Sequence, residues 1–414
     1  MTHIAIWSIA LISIAGIIIR PFKLPEAVWA VAGAITLVLF KLLSPKDGLA
    51  GIIKGTDVYL FLTGMMLLAE TAREEKLFDW LAAHATNLAR GSSKRLFVLM
   101  YLSGILVTVF LSNDATAVVL TPAVAAAAKS AKIKNPLPYL LICAFIANAA
   151  SFVLPISNPA NLVIYGNHMP PLLQWLSQYL VPSVISIIVT FVTLYLTQRK
   201  KLKQEPKINV EIPPLSKGGK TALAGIATTA LVLLASSAWD IQLGLPTFIT
   251  GLLTTAVVLV AAKRNPLLII KGISWSVLPL VAGLFMLVEA LNTTGLTQTL
   301  TTMLHQGINE SIAATVWTSS AVIAFVCNLV NNLPAGLVAG NVIQSGHVPV
   351  IIKNAVLIAV DLGPNLSITG SLATILWLVS LRRDNIQISG WLFFKSGMII
   401  MTVTLIFTII SLWL

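Results

Sequence analysis

The sequence predicts an all-α polytopic membrane protein built from two inverted-topology repeats, each with a re-entrant helical hairpin and a broken transmembrane helix. Three observations lead there. Apolar residues fill 57% of the 414 positions and charged residues only 10%, where a soluble domain carries about 25% charge. The apolar residues come in runs that approach the roughly 20 residues a helix needs to cross the hydrocarbon. Residues of the first half also return in the second at a near-constant offset.

The elements follow in order. Apolar segments cover 4–19, 27–43, 57–71, 96–111, 115–128, 137–154 and 172–197, then 221–239, 246–262, 275–291, 311–329, 335–345, 351–362, 366–381 and 391–413. The first has no small-residue cleavage site behind it and reads as a retained span, not a signal peptide. Between the two sets lies 199–220, with Arg199, Lys200, Lys201, Lys203, Lys207, Lys217 and Lys220 beside Pro206, Pro213, Pro214 and the Gly218-Gly219 pair. This stretch is the linker between a first repeat at 1–198 and a second at 221–414. Its charge assigns it to the cytoplasm. The net charge of +12 has the same origin. The cations sit in short loops between apolar runs, as orientation signals do, and imply no nucleic-acid partner.

The repeat shows in three matches. Ile52-Ile53-Lys54-Gly55 reappears as Ile269-Ile270-Lys271-Gly272, Gly64 and Glu70 are matched by Gly283 and Glu289, and Ser112-Asn113 falls opposite Asn331-Asn332, 219 residues on. Internal duplication of this kind is common in secondary transporters. Basic residues set its sense. With the linker inside, 221–239 and 246–262 bring Lys263, Arg264 and Lys271 back inside, and 275–291 exits to an outer loop at 292–310 that carries Glu310 and no Lys or Arg. In the first half Arg73, Lys76, Arg90, Lys94 and Arg95 hold 72–95 inside and leave 41–56 outside. Corresponding loops face opposite ways, so the repeat is inverted; Lys41, Lys46 and Lys54 run against the rule. Both ends of 94–134 are basic, at Lys94 and Arg95 and again at Lys129, Lys132 and Lys134. This region reads as a re-entrant hairpin with its tip at Ser112-Asn113-Asp114. Its counterpart spans 309–350, enters from outside and has its tip at Asn331-Asn332-Leu333-Pro334. Broken helices are expected at 137–165 and 351–381.

Four polar clusters interrupt the apolar runs: 112–116, 155–161, Asn328 with 331–334, and 361–369. Prolines in the second and fourth remove backbone donors and break the helix, so that free carbonyls, N–H groups and dipole ends aim at the gap. Such backbone survives at membrane depth only where protein buries it or it lines a wet cavity. Asn supplies both a donor and an acceptor. A cage of amides, hydroxyls and backbone groups suits a small, neutral or weakly charged hydroxylated solute. The candidate contacts are Asn113, Thr116, Ser157, Asn158, Asn161, Asn331, Asn332, Asn365 and Thr369; the plainer reading of each Asn is a cap on a half-helix. Asp114 and Asp361 are intramembrane carboxylates, functional by default: proton carriers, or acids fixed by helix N-terminal amides. Glu70 and Glu289, at the ends of runs, read as interfacial anchors.

Cys143 and Cys327 lie in apolar runs, which argues against a disulfide framework. They are small helix hydrophobes or soft contacts for a thiophilic solute. His84, His305 and His347 fall in loops and His168 in a short outer turn, with no role assigned. Gly91-Ser92-Ser93-Lys94 lacks the phosphate-loop pattern, and no nucleotide fingerprint, metal-ligand spacing or nucleophile elbow is present. The expectation is a transporter and not an enzyme, with no cofactor and no resident metal. Its energy would come from an ion gradient or a separate subunit.

The segment 58–70, the run Leu111-Ser112-Asn113-Asp114 on to Pro122, the segment 148–161, and Asp361-Leu362-Gly363-Pro364-Asn365 continuing through Gly370-Ser371-Leu372-Ala373-Thr374 to Trp377 resemble the ArsB-type arsenite efflux proteins of bacteria. These belong to the ion transporter superfamily, and the resemblance covers nearly the whole chain. It implies export of arsenite and antimonite across the inner membrane, driven by proton antiport or by an associated ArsA-type ATPase. It also implies a transport region distinct from a scaffold, and dimers. Dicarboxylate carriers of the superfamily have Ser-Asn-Thr at the tip and the break. Here Ser112-Asn113-Asp114 and Ser157-Asn158-Pro159 depart from it, which weighs against dicarboxylates and fits a neutral trihydroxy acid. The leading expectation is a proton-coupled arsenite exporter in which Asn113, Asn158, Asn161, Asn332 and Asn365 hold the hydroxyls and Asp114 or Asp361 carries the proton. A sodium–proton antiporter or other small-anion carrier, and a passive channel, are the alternatives.

Overall fold

The computed structural model describes residues 2–166, 169–203, 205–207, 210–383 and 385–414, without the side chain of Lys23. His168 and its turn lie outside the described residues. Among those residues every regular element is helical. Eight helices are long and apolar enough to cross a bilayer: Thr2–Ile19, Ser93–Phe110, Leu172–Lys201, Lys217–Ala238, Gly244–Ala262, Pro266–Thr293, Ile312–Val330 and Gly390–Trp413. A ninth span forms if Pro45–Lys54 and Thr56–Glu74, bent by 47° at their break, are taken together. The chain is therefore a multi-pass membrane protein. Its outer helices keep apolar side chains where lipid would wet them, as at Leu231 (67% exposed) and Val260 (79%). Two shorter helices are enclosed instead. Every residue from 138 to 149 and from 354 to 362 is buried, and these two stretches form the centre of the molecule.

The two halves interleave. Helix Thr56–Glu74 packs on Gly244–Ala262, and helix Val277–Thr293 packs on Glu26–Leu39. In the first pair a Cβ on Gly64 would strike the Thr247 carbonyl, and one on Gly251 the carbonyl of Gly64; in the second a Cβ on Gly283 would strike the backbone of Ala30. Backbones approach this closely only where residues are small. Polar ties sit at both ends of the first crossing: Gly244 N–H donates to Asp57 Oδ1 at 2.8 Å, and the hydroxyls of Thr71 and Thr255 are 2.9 Å apart.

One side of the molecule gathers the basic loops. Arg264 Nε donates to Glu75 Oε1 at 3.1 Å and Ser216 Oγ to Glu75 Oε2 at 2.5 Å. Asn87 holds Val210 by two bonds of 2.8 Å, and Lys207 N–H donates to the Ala131 carbonyl at 2.8 Å. The linker thus lies across the loops that carry most of the first half's cations. Elsewhere Lys54 Nζ meets Glu289 at 2.7 Å, which offsets one of the cations that run against the charge rule.

Several helices were not legible as apolar runs, Pro45–Lys54 and Pro266–Gly272 among them. Leu77–Leu88 and Leu296–Glu310 are amphipathic; in the first, Leu77, Phe78, Ala82 and Ala85 face inward at helical spacing while Asp79, His84 and Asn87 interrupt any run. His84 and His305 therefore sit on helices, not in loops. His84 Nδ1 is 3.0 Å from the Trp80 carbonyl.

Candidate functional site

Helix Ser93–Phe110 stops at Leu111, where the backbone leaves the helical region at φ −114°, ψ −80°. Ser112 then starts the next turn by accepting from Ala115 N–H at 3.1 Å, and Asn113 Oδ1 accepts from Asp114 N–H at 2.9 Å. Thr116 is tied to Thr108, hydroxyl to hydroxyl, at 2.8 Å. Residues Thr116–Leu120 widen into a π-helical turn ahead of Pro122, which has no N–H and crowds the carbonyl four residues back. Thr121 Oγ1 donates at 3.2 Å to the Thr116 carbonyl, which also accepts the Thr121 N–H. The second tip is turned by Asn331 at φ +75°; its Oδ1 accepts from Leu333 N–H and its Nδ2 donates to the Thr369 carbonyl, both at 3.3 Å. Asn113 and Asn332 are each 2% exposed, so neither tip faces lipid. The first tip packs on Leu372–Arg383 of the second half, and helix Asn332–Gly346 packs on Pro159–Tyr165 of the first.

The helices Leu137–Ala149 and Val350–Leu362 both end in mid-molecule, and the chain resumes at Pro159–Tyr165 and Leu372–Arg383. Side chains bridge the gaps between halves. Asn158 caps its own half-helix through Ala160 N–H at 3.0 Å and donates its Nδ2 to Asp361 Oδ1. Asn148 Nδ2 donates to Asn365 Oδ1 at 3.0 Å, and Asn365 Nδ2 to the Phe145 carbonyl at 3.1 Å. Within the first break Asn161 Nδ2 holds the Ser151 carbonyl at 2.9 Å, and Ser157 Oγ donates to the Val109 carbonyl at 3.0 Å. Within the second, Asn328 Nδ2 takes the Gly363 carbonyl at 2.8 Å and its Oδ1 accepts from Ser367 Oγ at 2.7 Å, while Thr369 Oγ1 donates to the Asn328 carbonyl at 3.1 Å. Free backbone groups at both breaks are thus met by amides and hydroxyls, as buried polar groups require.

Beside this crossing is a cavity of ≈ 60 Å³ lined by Met65, Met66, Glu70, Ser112, Asp114 and Pro159, with apolar residues around them and Gly272 to Ser274 on the far wall. That is room for about four water-sized atoms. Among the described residues no Lys or Arg lines it. A wider vestibule of ≈ 900 Å³ opens next to it, with Arg73, Lys76, Asp79, Lys129 and Arg383 on its wall and Val119 common to both. Glu70 and Arg73 stand between the two spaces, paired at 2.8 Å and 2.5 Å through both carboxylate oxygens.

Of the residues singled out from sequence, Ser112, Asp114 and Pro159 reach this cavity. Asn113 and Thr116 shape the tip, and Ser157, Asn158, Asn161, Asn331, Asn365 and Thr369 hold the breaks together. The thiols lie elsewhere: Cys143 Sγ is 3.9 Å from the Tyr139 carbonyl and Cys327 Sγ 4.0 Å from that of Val360, and neither lines the cavity. Glu70 is 5% exposed and ion-paired against the cavity, which corrects its reading as an interfacial anchor. Sequence reasoning did not pick out Met65 and Met66, which sit in an ordinary apolar run, or Asn148, whose partners lie 217 and 226 residues away.

Interleaved bundles of spanning helices that enclose a polar crossing, with a small cavity against it, are an architecture suited to a membrane transporter. The family described as CitMHS, citrate transporter, matches residues 10–363, and this chain belongs to that family. It is also similar to the arsenical pump membrane proteins of Yersinia enterocolitica and of Escherichia coli (strain K12). Each is 28% identical over 349 residues, covering 82% of this chain and 81% of the relative. An uncharacterized transporter of Mycobacterium tuberculosis is 24% identical over 415 residues, covering 97% and 96%. These relatives bear out the ArsB-type resemblance. Among solved structures, the YdaH transporter of Alcanivorax borkumensis, reported to have an unusual topology, matches with a TM-score of 0.57 at 14% identity over 91% of this chain and 89% of that one. MtrF of Neisseria gonorrhoeae, described as illuminating a class of antimetabolite efflux pumps, matches with a TM-score of 0.57 at 13% identity over 92% and 84%. These two show a shared fold.

Proposed function

We propose that this protein exports arsenite, and antimonite with it, across the inner membrane by proton antiport with alternating access. The observation that carries this reading is the cavity at the first hairpin tip. Its small volume beside a polar tip suits a compact hydroxylated solute such as a trihydroxy metalloid acid. Its ionisable wall is Asp114 together with Glu70, whose carboxylate is held by Arg73, which leaves Asp114 to accept hydroxyl donors. The arsenical pump relatives support the same cargo.

Asp114 is the coupling acid in this scheme. Proton and cargo compete at one wall, and each shifts only the state that it binds differently. Glu70 and Arg73 close the cavity toward the vestibule. Ser157, Asn158, Asn161, Asn331, Asn332, Asn365 and Thr369 act by holding the breaks and the second tip, and come to the cargo as the halves move. The reciprocal helix crossings and the recurrence of Ser93–Phe110 as Ile312–Val330, 219 residues on, support two inverted repeats with hairpins at 94–134 and 309–350. The gathering of basic loops around the linker supports a cytoplasmic place for 199–220.

Everted membrane vesicles given radioactive arsenite in the medium test the scheme. Accumulation should appear when the lumen is made acidic and vanish when the gradient is collapsed. Arsenite flux indifferent to the gradient would mean a channel, and sodium-driven proton movement without arsenite uptake would mean an antiporter of another kind.

A further inference from the structure

The helix Leu296–Glu310 is packed differently from its counterpart 219 positions earlier. That counterpart, Leu77–Leu88, packs on both arms of the first hairpin and buries Leu77, Phe78, Ala82, Ala83, Ala85 and Thr86. Leu296–Glu310 buries no residue. Gly307 holds its last turn close to Thr315, whose hydroxyl a Cβ there would meet at 2.8 Å. Beside that contact a groove of ≈ 460 Å³ opens between the helix and the second hairpin, with Leu300, Met303 and Leu304 on one wall and Val322, Val338 and Ile343 on the other. Met303 is 61% exposed and Val322 52%. Thr315 Oγ1 donates to the Ser311 carbonyl at 2.8 Å and Ser319 Oγ to the Val316 carbonyl at 3.2 Å. Both hydroxyls are thus spent on their own helix, and the groove stays apolar. Its one charged wall residue is Glu310, which is exposed and takes part in none of the ion pairs among the described residues. The sequence has no Lys or Arg from 272 to 352, so neither this helix nor the hairpin brings a cation to it.

Surroundings and charge select the occupant. In a multi-pass membrane protein, an amphipathic helix too short to span lies in the plane of the interface with its apolar face toward the acyl chains. The groove then opens on hydrocarbon, with Glu310 at the level of the headgroups. Left empty, its walls would forfeit dispersion contacts, and an acyl chain restores them because lipid tails are as apolar as the side chains. Lys and Arg on the polar face of such a helix draw anionic lipids. Here there are none, and a free carboxylate draws a positive headgroup instead. A primary ammonium matches the charge and donates a charge-assisted hydrogen bond, whereas a quaternary ammonium has no N–H to give. We propose that this groove binds phosphatidylethanolamine, with one acyl chain between helix Leu296–Glu310 and the second hairpin and the ammonium on Glu310. The lipid joins that helix to its hairpin where the first half achieves the same by direct packing. The site shares no residue with the lining of the Asp114 cavity, and it stands whatever the cargo is.

Native mass spectrometry of the full chain, released from detergent micelles, tests this. The protein is titrated with phosphatidylethanolamine, phosphatidylcholine and phosphatidylglycerol of identical acyl chains in competition. One saturable phosphatidylethanolamine adduct per chain is expected, retained about two- to fivefold over the other two, the preference that one exposed ion pair supplies. Glu310→Gln, at an exposed position, should keep the adduct and level phosphatidylethanolamine with phosphatidylcholine. Ala314→Trp, which fills the groove from an exposed site on its wall, should remove the adduct for all three lipids. Equal retention of all three by the unaltered chain, or a preference for phosphatidylglycerol, overturns the proposal. So does a phosphatidylethanolamine preference that survives both substitutions, because the lipid then sits elsewhere. A dimer without a lipid adduct that Ala314→Trp splits would mean that a second copy covers the groove, and overturns it as well. Arsenite plays no part in this readout, so its failure bears on the lipid alone.

Discussion

Asn158→Ala separates a helix cap from a bond that joins the two halves. Asn158 is 1% exposed and does two things at once: its Oδ1 caps Pro159–Tyr165 through Ala160 N–H, and its Nδ2 donates to Asp361. Loss of the cap costs about 1 kcal/mol. Loss of the buried hydrogen bond to Asp361 costs about 0.5–1.5 kcal/mol, and bonds between helices in a bilayer average about 0.6 kcal/mol. The total is about 1.5–2.5 kcal/mol, which in a chain of this length lowers Tm by roughly 2–3 °C. The assay is thermal unfolding in nanodiscs, run as a double-mutant cycle with Asp361→Ala, which removes the acceptor. In that background only the cap is left to lose, so Asn158→Ala should cost about 1 kcal/mol and the coupling should be about 0.5–1.5 kcal/mol. Equal costs in the two backgrounds, within about 0.5 kcal/mol, would show that Asn158 serves as a cap alone and that the halves are not joined through it.

Other outcomes are expected. Asp114→Asn should keep the fold and leave arsenite flux downhill only, with pH-driven accumulation in everted vesicles lost; wild-type pH dependence would remove Asp114 from coupling. Gly251→Leu sets a side chain against the Gly64 carbonyl and should cost about 1–3 kcal/mol or more, read as a lower unfolding temperature in nanodiscs. Arg73→Ala opens the pair that stands between vestibule and cavity, so a thiol at Ser112→Cys should react with a membrane-impermeant reagent from the vestibule side about tenfold faster or more, since a tenfold change equals only about 1.4 kcal/mol of gating energy. Burial pushes the Asp79 carboxyl up, beyond what Lys76 and Arg73 pull down, and its helix is not among the spans. The folded chain therefore holds that proton more tightly, and stability from the protonated form is lost as pH rises through the raised value. Asp79→Asn should be neutral below the ordinary carboxylate range of about 4 and should stabilise increasingly as pH rises through the raised value, as followed by unfolding temperature against pH.

The spans could be read because lipid allows little else: a run such as 172–197 has to be helical when no water is present to meet its backbone. Pro155, Pro159 and Pro364 marked the places where helices end because a missing N–H acts locally, and Asp114 stood out because a carboxylate in such a run has few structural excuses. Helices Leu77–Leu88 and Leu296–Glu310 went unread because their apolar residues come at helical spacing among polar ones, a pattern that a search for apolar runs discards. The cavity wall was hidden for a different reason. Met65, Met66 and Glu70 belong to one helix, Ser112 and Asp114 to the tip, and Gly272 to the other half. Nothing local in any of the three says that they meet. Asn148 shows the same limit, since an Asn near the end of an apolar run looks like a cap until its partner 217 residues away is in place.

The glycine crossing of Thr56–Glu74 with Gly244–Ala262 has a consequence for synthesis. The residues that meet at Asp57 and Gly244 are separated by 187 positions, so at a ribosomal rate of about 5–20 residues per second the earlier helix waits on the order of 10–40 s for its partner. During that interval its groove of small side chains is bare to lipid or to a neighbouring nascent chain. A late arrival of the second half, through a pause or truncation, would leave a well-inserted but unassembled first half, a substrate for membrane quality-control proteases.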